Sequence, residues 1–241
     1  MKRSILVFST LGFLCLANGL YAQDVKNNND ESLKKIFARG QVVNQGQDNL
    51  RRLNFDVAAS NFLAATDEKY FFEGSNLGYP RGMLIDIWVY CGEYEQALKG
   101  VEWFFSQRII GDWAIDDRKK IRAIIEWKKS DSKQPIYQFI DEYKKKYKDR
   151  IPPKVKWIDI NVFVTVVELY DLIGDYDLGI AWVQTFRKAD KSEPLKRTRK
   201  EYAGLIQAFE ESKRGMPKEC SADGKYCVGR ATAYIIRSKY F

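Results

Sequence analysis

Cysteines and acidic clusters carry the reactive side chains of this sequence, because histidine is absent from all 241 residues. Without histidine there is no Ser-His-Asp triad, no histidine general base and no histidine metal ligand. A zinc site would need cysteines alone, and the chain has four. We therefore expect no cofactor, and most hydrolase and metalloenzyme classes are excluded on this count.

Two of the cysteines, Cys220 and Cys227, bracket the polar turn CSADGKYC. In an exported protein such a pair is expected to form a structural disulfide, which stabilises a fold by about 2–3 kcal/mol. A redox-active pair normally has Cys-x-x-Cys spacing, and a metal site needs more ligands. Cys91 stands on an apolar face beside Gly92, which predicts a buried free thiol rather than a reactive one.

The acidic cluster Asp112, Asp116 and Asp117 has one pair at helical spacing. Paired carboxylates act as general acid and base only when burial separates their pKa values. Because three basic residues follow directly at 118–120, we predict a solvated helix start with its acids at the positive end of the helix dipole. The sequence thus indicates no catalytic residue, and we expect no enzyme activity.

Basic residues outnumber acidic ones by 40 to 32, which gives a formal net charge of +8. They concentrate at 118–122, 144–150 and 196–200, where one helix face cannot hold a whole run because successive positions turn by about 100°. A solvated surface is the default interpretation. The alternative is a basic groove for an acidic protein, an anionic glycan or a lipid surface. Such a partner site would be formed by Trp113, Arg118, Lys119, Arg122, Tyr143 and Lys144.

Nucleic acid is not expected as a partner, since an exported chain without a recognised binding motif offers no base or phosphate readout. Export is predicted by residues 1–22, where Lys2 and Arg3 precede an apolar run over 5–17. That run has the length of a signal-peptide core and is short for a membrane span of roughly 20 residues. We expect cleavage near Ala22 and a periplasmic or secreted protein. Lipidation of Cys15 and an uncleaved anchor remain as alternatives.

The elements that would position these side chains are helices in pairs. From Ser32 the spacing is helical, with Leu33, Ile36 and Phe37 on one apolar face. Residues 82–107 form two amphipathic helices joined by a tight turn. A final helix over 195–212, apolar on one face and basic on the other, is expected to cap the open end of the stack.

One turn sequence recurs along the chain. GEYEQAL at Gly92 matches GDYDLGI at Gly174, and LNFDVAA at Leu53 matches both with Leu in place of Gly and Phe in place of Tyr. The spacings are about 40 residues or twice that, so a fourth, degenerate turn is predicted near residue 133. Four helix pairs at one period indicate a solenoid of antiparallel hairpins.

This turn resembles that of the tetratricopeptide repeat, in which Gly, Asp and Tyr lie between two helices and a small residue follows three positions after the Tyr. The resemblance covers most of the region 40–190. It implies a right-handed superhelix whose concave face is formed largely by the first helix of each pair. It also implies protein–protein scaffolding, and it brings no catalytic residue. The residues that it assigns to repeat packing are Gly92, Tyr94, Ala97, Gly174, Tyr176, Gly179, Phe55 and Ala58.

The sequence therefore predicts an all-α solenoid of tetratricopeptide-like hairpins. We expect an export signal over 1–22, a flexible lead-in over 23–31, a helical-repeat domain over 32–213 and a disulfide-closed tail over 214–241. The expected function is that of an exported protein–protein interaction scaffold or adaptor. The alternative is an enzyme, or an enzyme's accessory subunit, that acts on an anionic cell-envelope polymer. The oligomeric state is not indicated.

Overall fold

The fold is described from a computed structural model, which covers residues 30–67, 69, 78–108, 111–152, 160–189 and 196–238. The predicted export signal and residues 23–29 of the predicted lead-in lie outside these ranges. The described part is almost entirely helical. None of its helices is both long enough and apolar enough to cross a membrane.

Ten α-helices and one two-stranded sheet make up the described residues. The helices are α1 Asp30–Arg51, α2 Phe55–Ala64, α3 Gly78–Tyr90, α4 Tyr94–Ser106, α5 Asp112–Ser130, α6 Gln134–Lys146, α7 Ile160–Ile173, α8 Tyr176–Ala189, α9 Lys196–Lys213 and α10 Arg230–Arg237. A 3-10 turn, Lys148–Arg150, follows α6. The strands β1, Glu219–Cys220, and β2, Cys227–Val228, pair antiparallel before α10 begins.

Neighbouring helices pack in adjacent pairs, as the sequence predicted. The hairpins are α1–α2, α3–α4, α5–α6 and α7–α8, and α2 also packs against α3, as α4 does against α5 and α8 against α9. The all-α class and the helical-hairpin organisation are therefore confirmed. The odd-numbered helices α1, α3, α5 and α7 are the first members of their pairs.

Each hairpin turn contains one residue in the left-handed conformation. The φ angles are 60° at Leu53, 79° at Gly92, 53° at Asp131 and 73° at Gly174, so the fourth turn predicted near residue 133 is present. At 53, 92 and 174 the next residue donates its N–H to the carbonyl five positions back. This bond is the Schellman signature of a helix end. The backbone thus repeats about every 40 residues even where the glycine does not.

A fifth turn of the same kind closes α9, which the sequence had suggested only as a capping helix. Gly215 has a φ of 80°, and Met216 donates to the carbonyl of Glu211 with the same spacing. The helix α9 is therefore the first member of a fifth, altered pair. Its return element consists of the short sheet and α10.

Of the eight repeat-packing residues, Gly92 and Gly174 form exposed turns, and the other six lie between packed helices. Phe55, Ala58 and Ala97 are buried, and a Cβ at Gly179 would come within 2.6 Å of the Phe209 ring. Small residues at these positions let the next helix approach closely. Tyr94 and Tyr176 are partly buried against the core of the later helices.

The face predicted for α1 was wrong at Phe37, which is 71% exposed. The buried stripe of this helix passes instead through Arg39, Val43, Gly46 and Leu50. These positions keep steps of three and four residues. A count of apolar residues misses the stripe, because two of its four members are an arginine and a glycine. The buried Arg39 is accommodated because its Nε donates a hydrogen bond of 3.1 Å to the backbone carbonyl of Ala65, at the end of α2.

The C-terminal tail joins the two ends of the array. The helix α10 packs against α1, α7 and α9, all first members of a pair. Its Ala231 and Ile235 belong to the core of the later helices, whereas Ala233 packs with the core of α1 to α3. Tyr226 meets the Phe55 ring edge-on at 6.2 Å. The tail therefore docks on the first hairpin as well as on the last pair, a contact that the sequence did not indicate.

An acid from α7 fixes the start of α10. The Asp171 Oδ2 atom accepts hydrogen bonds from the Thr232 backbone N–H at 2.8 Å and from its hydroxyl at 2.7 Å. A Cβ at Gly229 would lie 2.1 Å from the same oxygen, so only glycine permits this approach. The carboxylate satisfies orphan donors at the helix N-terminus and complements its dipole.

Candidate ligand-binding recess

The acidic cluster at the start of α5 is not the solvated helix start that the sequence predicted. Asp116 is 7% exposed. It accepts two hydrogen bonds from Lys146 Nζ, both at 2.8 Å, and one from the Tyr147 hydroxyl. The last residue of α6, Lys146, and the next residue, Tyr147, reach over this end of α5 and bring an ammonium and a phenol onto the carboxylate. Asp112 stays largely exposed.

The next charged residues of α5 point into the molecule. The Lys120 side chain is only 10% exposed, and its Nζ lies 2.9 Å from Asp117 Oδ1. A buried ammonium is costly unless acids compensate it. Burial lowers the pKa of Lys120, but the carboxylates of Asp117, Asp86 and Glu168 outweigh burial and hold this pKa above its ordinary value.

Three helices supply these acids, and each is the first member of its pair. Asp86 and Tyr90 lie one turn apart on α3, Asp117 and Lys120 on α5, and Glu168 on α7. The Tyr90 hydroxyl donates to Glu168 Oε1 at 2.8 Å, which ties the second hairpin to the fourth. We refer to these five residues as the inner recess, because protein surrounds them while Asp86, Tyr90, Asp117 and Glu168 keep partial access to solvent.

Two acids of the inner recess, Asp86 and Glu168, have raised pKa values. The pKa of Asp86 is raised to about 7, chiefly by burial; Lys120 opposes this rise, and Asp117 and Glu168 add to it. Burial also raises the pKa of Glu168, against the opposing effects of Lys120 and the Tyr90 hydroxyl. Perturbed groups of this kind cluster at functional sites.

Asp86 is the member without a fixed partner. Within the described residues neither of its oxygens has a hydrogen bond or ion pair, although Lys120 influences it electrostatically. Chemically, such a group can exchange a proton near neutral pH or accept donors from a ligand. The described residues contain no group of three or more acids and cysteines that could hold a metal ion.

The residues predicted to bind a partner do not gather on one surface. Trp113 is 44% exposed and meets the Phe104 ring of α4 edge-on at 4.7 Å. The Nε of Arg118 lies 2.7 Å from Glu102 on α4, and Arg122 reaches the same carboxylate at 3.3 Å. These three residues therefore border the contact between α4 and α5.

The other three predicted residues lie toward α6 and α7. Lys119 forms a long, exposed ion pair of 3.9 Å with Glu142. Tyr143 is buried. Lys144 donates to the Tyr170 hydroxyl at 2.9 Å, and its ammonium lies 4.5 Å from the centre of the Trp182 ring.

The predicted disulfide Cys220–Cys227 is confirmed, and it links β1 to β2. Cys91 is free, and burial above all raises its pKa to about 12, which keeps it as an unreactive thiol. A surface cleft of about 430 Å³ lies between α9 and α10. The charges along this cleft pair with one another, as Arg230 does with Glu211 at 2.8 Å.

Sequence reasoning missed Asp86, Tyr90 and Glu168. A signal was available, because Asp86 is the lone acid of GMLIDIWVY and Glu168 follows the apolar run VFVTVV. A charge that interrupts an apolar run of a packed helix has to be paired or functional. No periodicity, however, reveals that these helices meet.

No family model matches the chain, and no curated protein or solved structure matches it either. The resemblance to the tetratricopeptide repeat therefore rests on the turn residues and on the pairing of neighbouring helices.

Proposed function

We propose that the protein is an exported scaffold or adaptor, built as a right-handed superhelix of tetratricopeptide-like hairpins, that binds another protein through the inner recess. Residues 1–22 support export by their charge and apolar pattern. The disulfide in the tail supports an oxidising compartment. The helices α3, α5 and α7 correspond to those that form the concave face in the repeat family.

One observation carries this proposal: three such helices direct charged side chains into one recess, and Asp86 there has no partner within the described residues. Burial that removes part of the hydration of a carboxylate disfavours its ionised form, as the raised pKa of Asp86 shows. Carboxyl groups perturbed in this way cluster at functional sites. The tail supports the same location, because α10 also packs against first members of pairs, namely α1, α7 and α9.

The test is capture of a partner from envelope extract by the purified, disulfide-intact protein at low and high salt. The comparison includes Asp86→Asn, Glu168→Gln and the control Asp141→Asn, which neutralises an exposed acid on α6. We expect one stoichiometric partner on the wild type and the control, and at least tenfold less on both recess variants. Equal capture by all four proteins would overturn the proposal.

The alternative function, action on an anionic envelope polymer, would need a basic cleft. Among the described residues, the predicted basic positions are spread over separate helix contacts, and the inner recess contains more acids than bases. We therefore do not adopt this alternative. Turnover of such a polymer by the purified protein would overturn the scaffold proposal directly.

A further inference from the structure

The helix α4 supports an arginine on each of two aromatic rings. The guanidinium carbon of Arg81, near the start of α3, lies 3.9 Å from the centre of the Trp103 ring. That of Arg118, on α5, lies 4.6 Å from the centre of the Phe105 ring. Both are cation–π distances, and a stacked guanidinium keeps the donors in its plane available to a carboxylate. We refer to these four residues as the α4 strip.

One arginine of the α4 strip already holds a carboxylate. The Nε of Arg118 lies 2.7 Å from Glu102 Oε1, and Nη2 of Arg122 lies 3.3 Å from the same oxygen. Glu102 directly precedes Trp103 on α4. The molecule thus shows within itself which group a stacked arginine of this strip binds, and it commits its nearest acid to two cations of α5.

Arg81 is the same unit without an acid. No carboxylate of the described residues pairs with it, and its Nε is shielded from solvent without a hydrogen-bond partner. Its two terminal nitrogens are not shielded in this way. The one acid of α3, Asp86, comes five residues later, which places it about 140° around the helix. A carboxylate from another molecule can therefore approach Arg81 end-on, with one oxygen on each terminal nitrogen.

The surroundings of Arg81 fit a protein partner that is acidic. The contacts above join three arginines, at 81, 118 and 122, to the single acid Glu102, which leaves two positive charges in excess. Trp103 and Trp113 both meet the Phe104 ring edge-on, at 5.0 and 4.7 Å, and Trp113 is 44% exposed. Tryptophan and arginine side chains are the ones that most often dominate the binding energy of protein–protein interfaces.

We propose that the α4 strip docks an acidic segment of a protein partner, in which a Glu or Asp side chain binds Arg81 and a neighbouring apolar residue packs on Trp113. None of the residues of the strip belongs to the inner recess, and α4 is the second member of its pair. The proposal therefore goes beyond the proposed function and does not depend on it. Because Trp103 already holds the guanidinium in place, little side-chain entropy is lost when the carboxylate binds.

NMR titration of the disulfide-intact protein with acetyl-Glu-Leu-Glu-amide, followed at the backbone amides of α4, tests the site. We expect saturable shifts for this peptide, none for acetyl-Gln-Leu-Gln-amide, and at least fivefold weaker binding to Arg81→Gln. Arg81→Lys should bind nearly as weakly, because an ammonium does not offer two parallel donors. The control Arg52→Gln, which removes an exposed arginine at the turn between α1 and α2, should stay within twofold of wild type.

Three outcomes would overturn the proposal. The first is a peptide that does not bind the wild type, or that binds Arg81→Gln equally well. The second is an equal loss in Arg52→Gln, because binding would then follow net charge alone. The third is tighter binding of trigalacturonate than of the peptide, which would indicate an anionic glycan in place of a protein. Circular dichroism establishes that each variant is folded, and Arg81→Lys replaces Arg81→Gln if the latter is not.

Discussion

The substitution Asp86→Asn should remove much of the pH dependence of folding stability. In the folded protein the pKa of Asp86 is raised, chiefly by burial, from 3.8 to about 7. Between these two values the folded state keeps a proton that the unfolded chain releases. The free energy of unfolding of the wild type must therefore fall as pH rises from about 4 to about 7, and must level off above that.

The magnitude follows from the size of the pKa shift. One pKa unit corresponds to about 1.4 kcal/mol, so a shift of about three units removes on the order of 4 kcal/mol of stability across this range. The amide of Asn resembles the protonated carboxyl and does not ionise. The variant should match the wild type near pH 4.5 and exceed its stability by several kcal/mol at pH 8. A smaller slope of the same sign should persist, because the pKa of Glu168 is also raised.

Urea unfolding of wild type, Asp86→Asn and Asp141→Asn at intervals from pH 4.5 to 8 measures this effect. If the slope of the unfolding free energy against urea concentration is the same for all three proteins, the substitutions change stability and not the surface exposed on unfolding. The exposed control should follow the wild-type curve. A wild-type stability that rises or stays flat between pH 5 and 7, or an Asp86→Asn curve with the wild-type slope, would refute the burial argument.

Three further predictions concern the scaffold. Gly92 has a φ of 79° and open space around a new Cβ, so Gly92→Ala should lower the free energy of unfolding in urea by about 1 kcal/mol through backbone strain alone. Asp131→Gly should raise it by about 0.5–1 kcal/mol, because glycine tolerates the positive φ of that turn. Changes of the same sign in both variants would contradict this account of the turns. Asp171→Ala should cost about 2–3 kcal/mol by removing buried hydrogen bonds to the start of α10, and hydrogen exchange should accelerate there before it does in α5; protection that stays unchanged in α10 would count against this anchor. Replacing Cys220 and Cys227 by Ser should lower the free energy of unfolding by about 2–3 kcal/mol, and a change below about 0.5 kcal/mol would indicate that the hairpin holds without its crosslink.

The hairpin fold was predictable because its signal is local. The Gly-acid-Tyr turns at residues 92 and 174 fix where one helix ends and the next begins. Their approximate period then predicted a turn near residue 133, which the structure has at Asp131. At Leu53 and Asp131 the same backbone forms without glycine, since the flanking helices hold the turn in place. The fifth turn, at Gly215, was missed because the element that follows it is a short sheet rather than a helix.

The inner recess was not predictable because it depends on contacts between distant segments. Tyr90 and Glu168 are 78 residues apart, and no periodicity along the chain links them. The predicted partner residues stood out as basic runs, but ion pairs such as Arg118 with Glu102 are also formed between elements. Charge counted along the chain therefore did not indicate the inner recess. The signal that the sequence offered was the two acids that interrupt apolar runs, Asp86 and Glu168.

The titration of the Asp86 carboxyl carbon, followed by NMR, tests the account most directly. The account predicts a midpoint near pH 7, because burial disfavours the ionised carboxylate. A midpoint near 4 would contradict the burial of Asp86 and, with it, the inner recess as the candidate site.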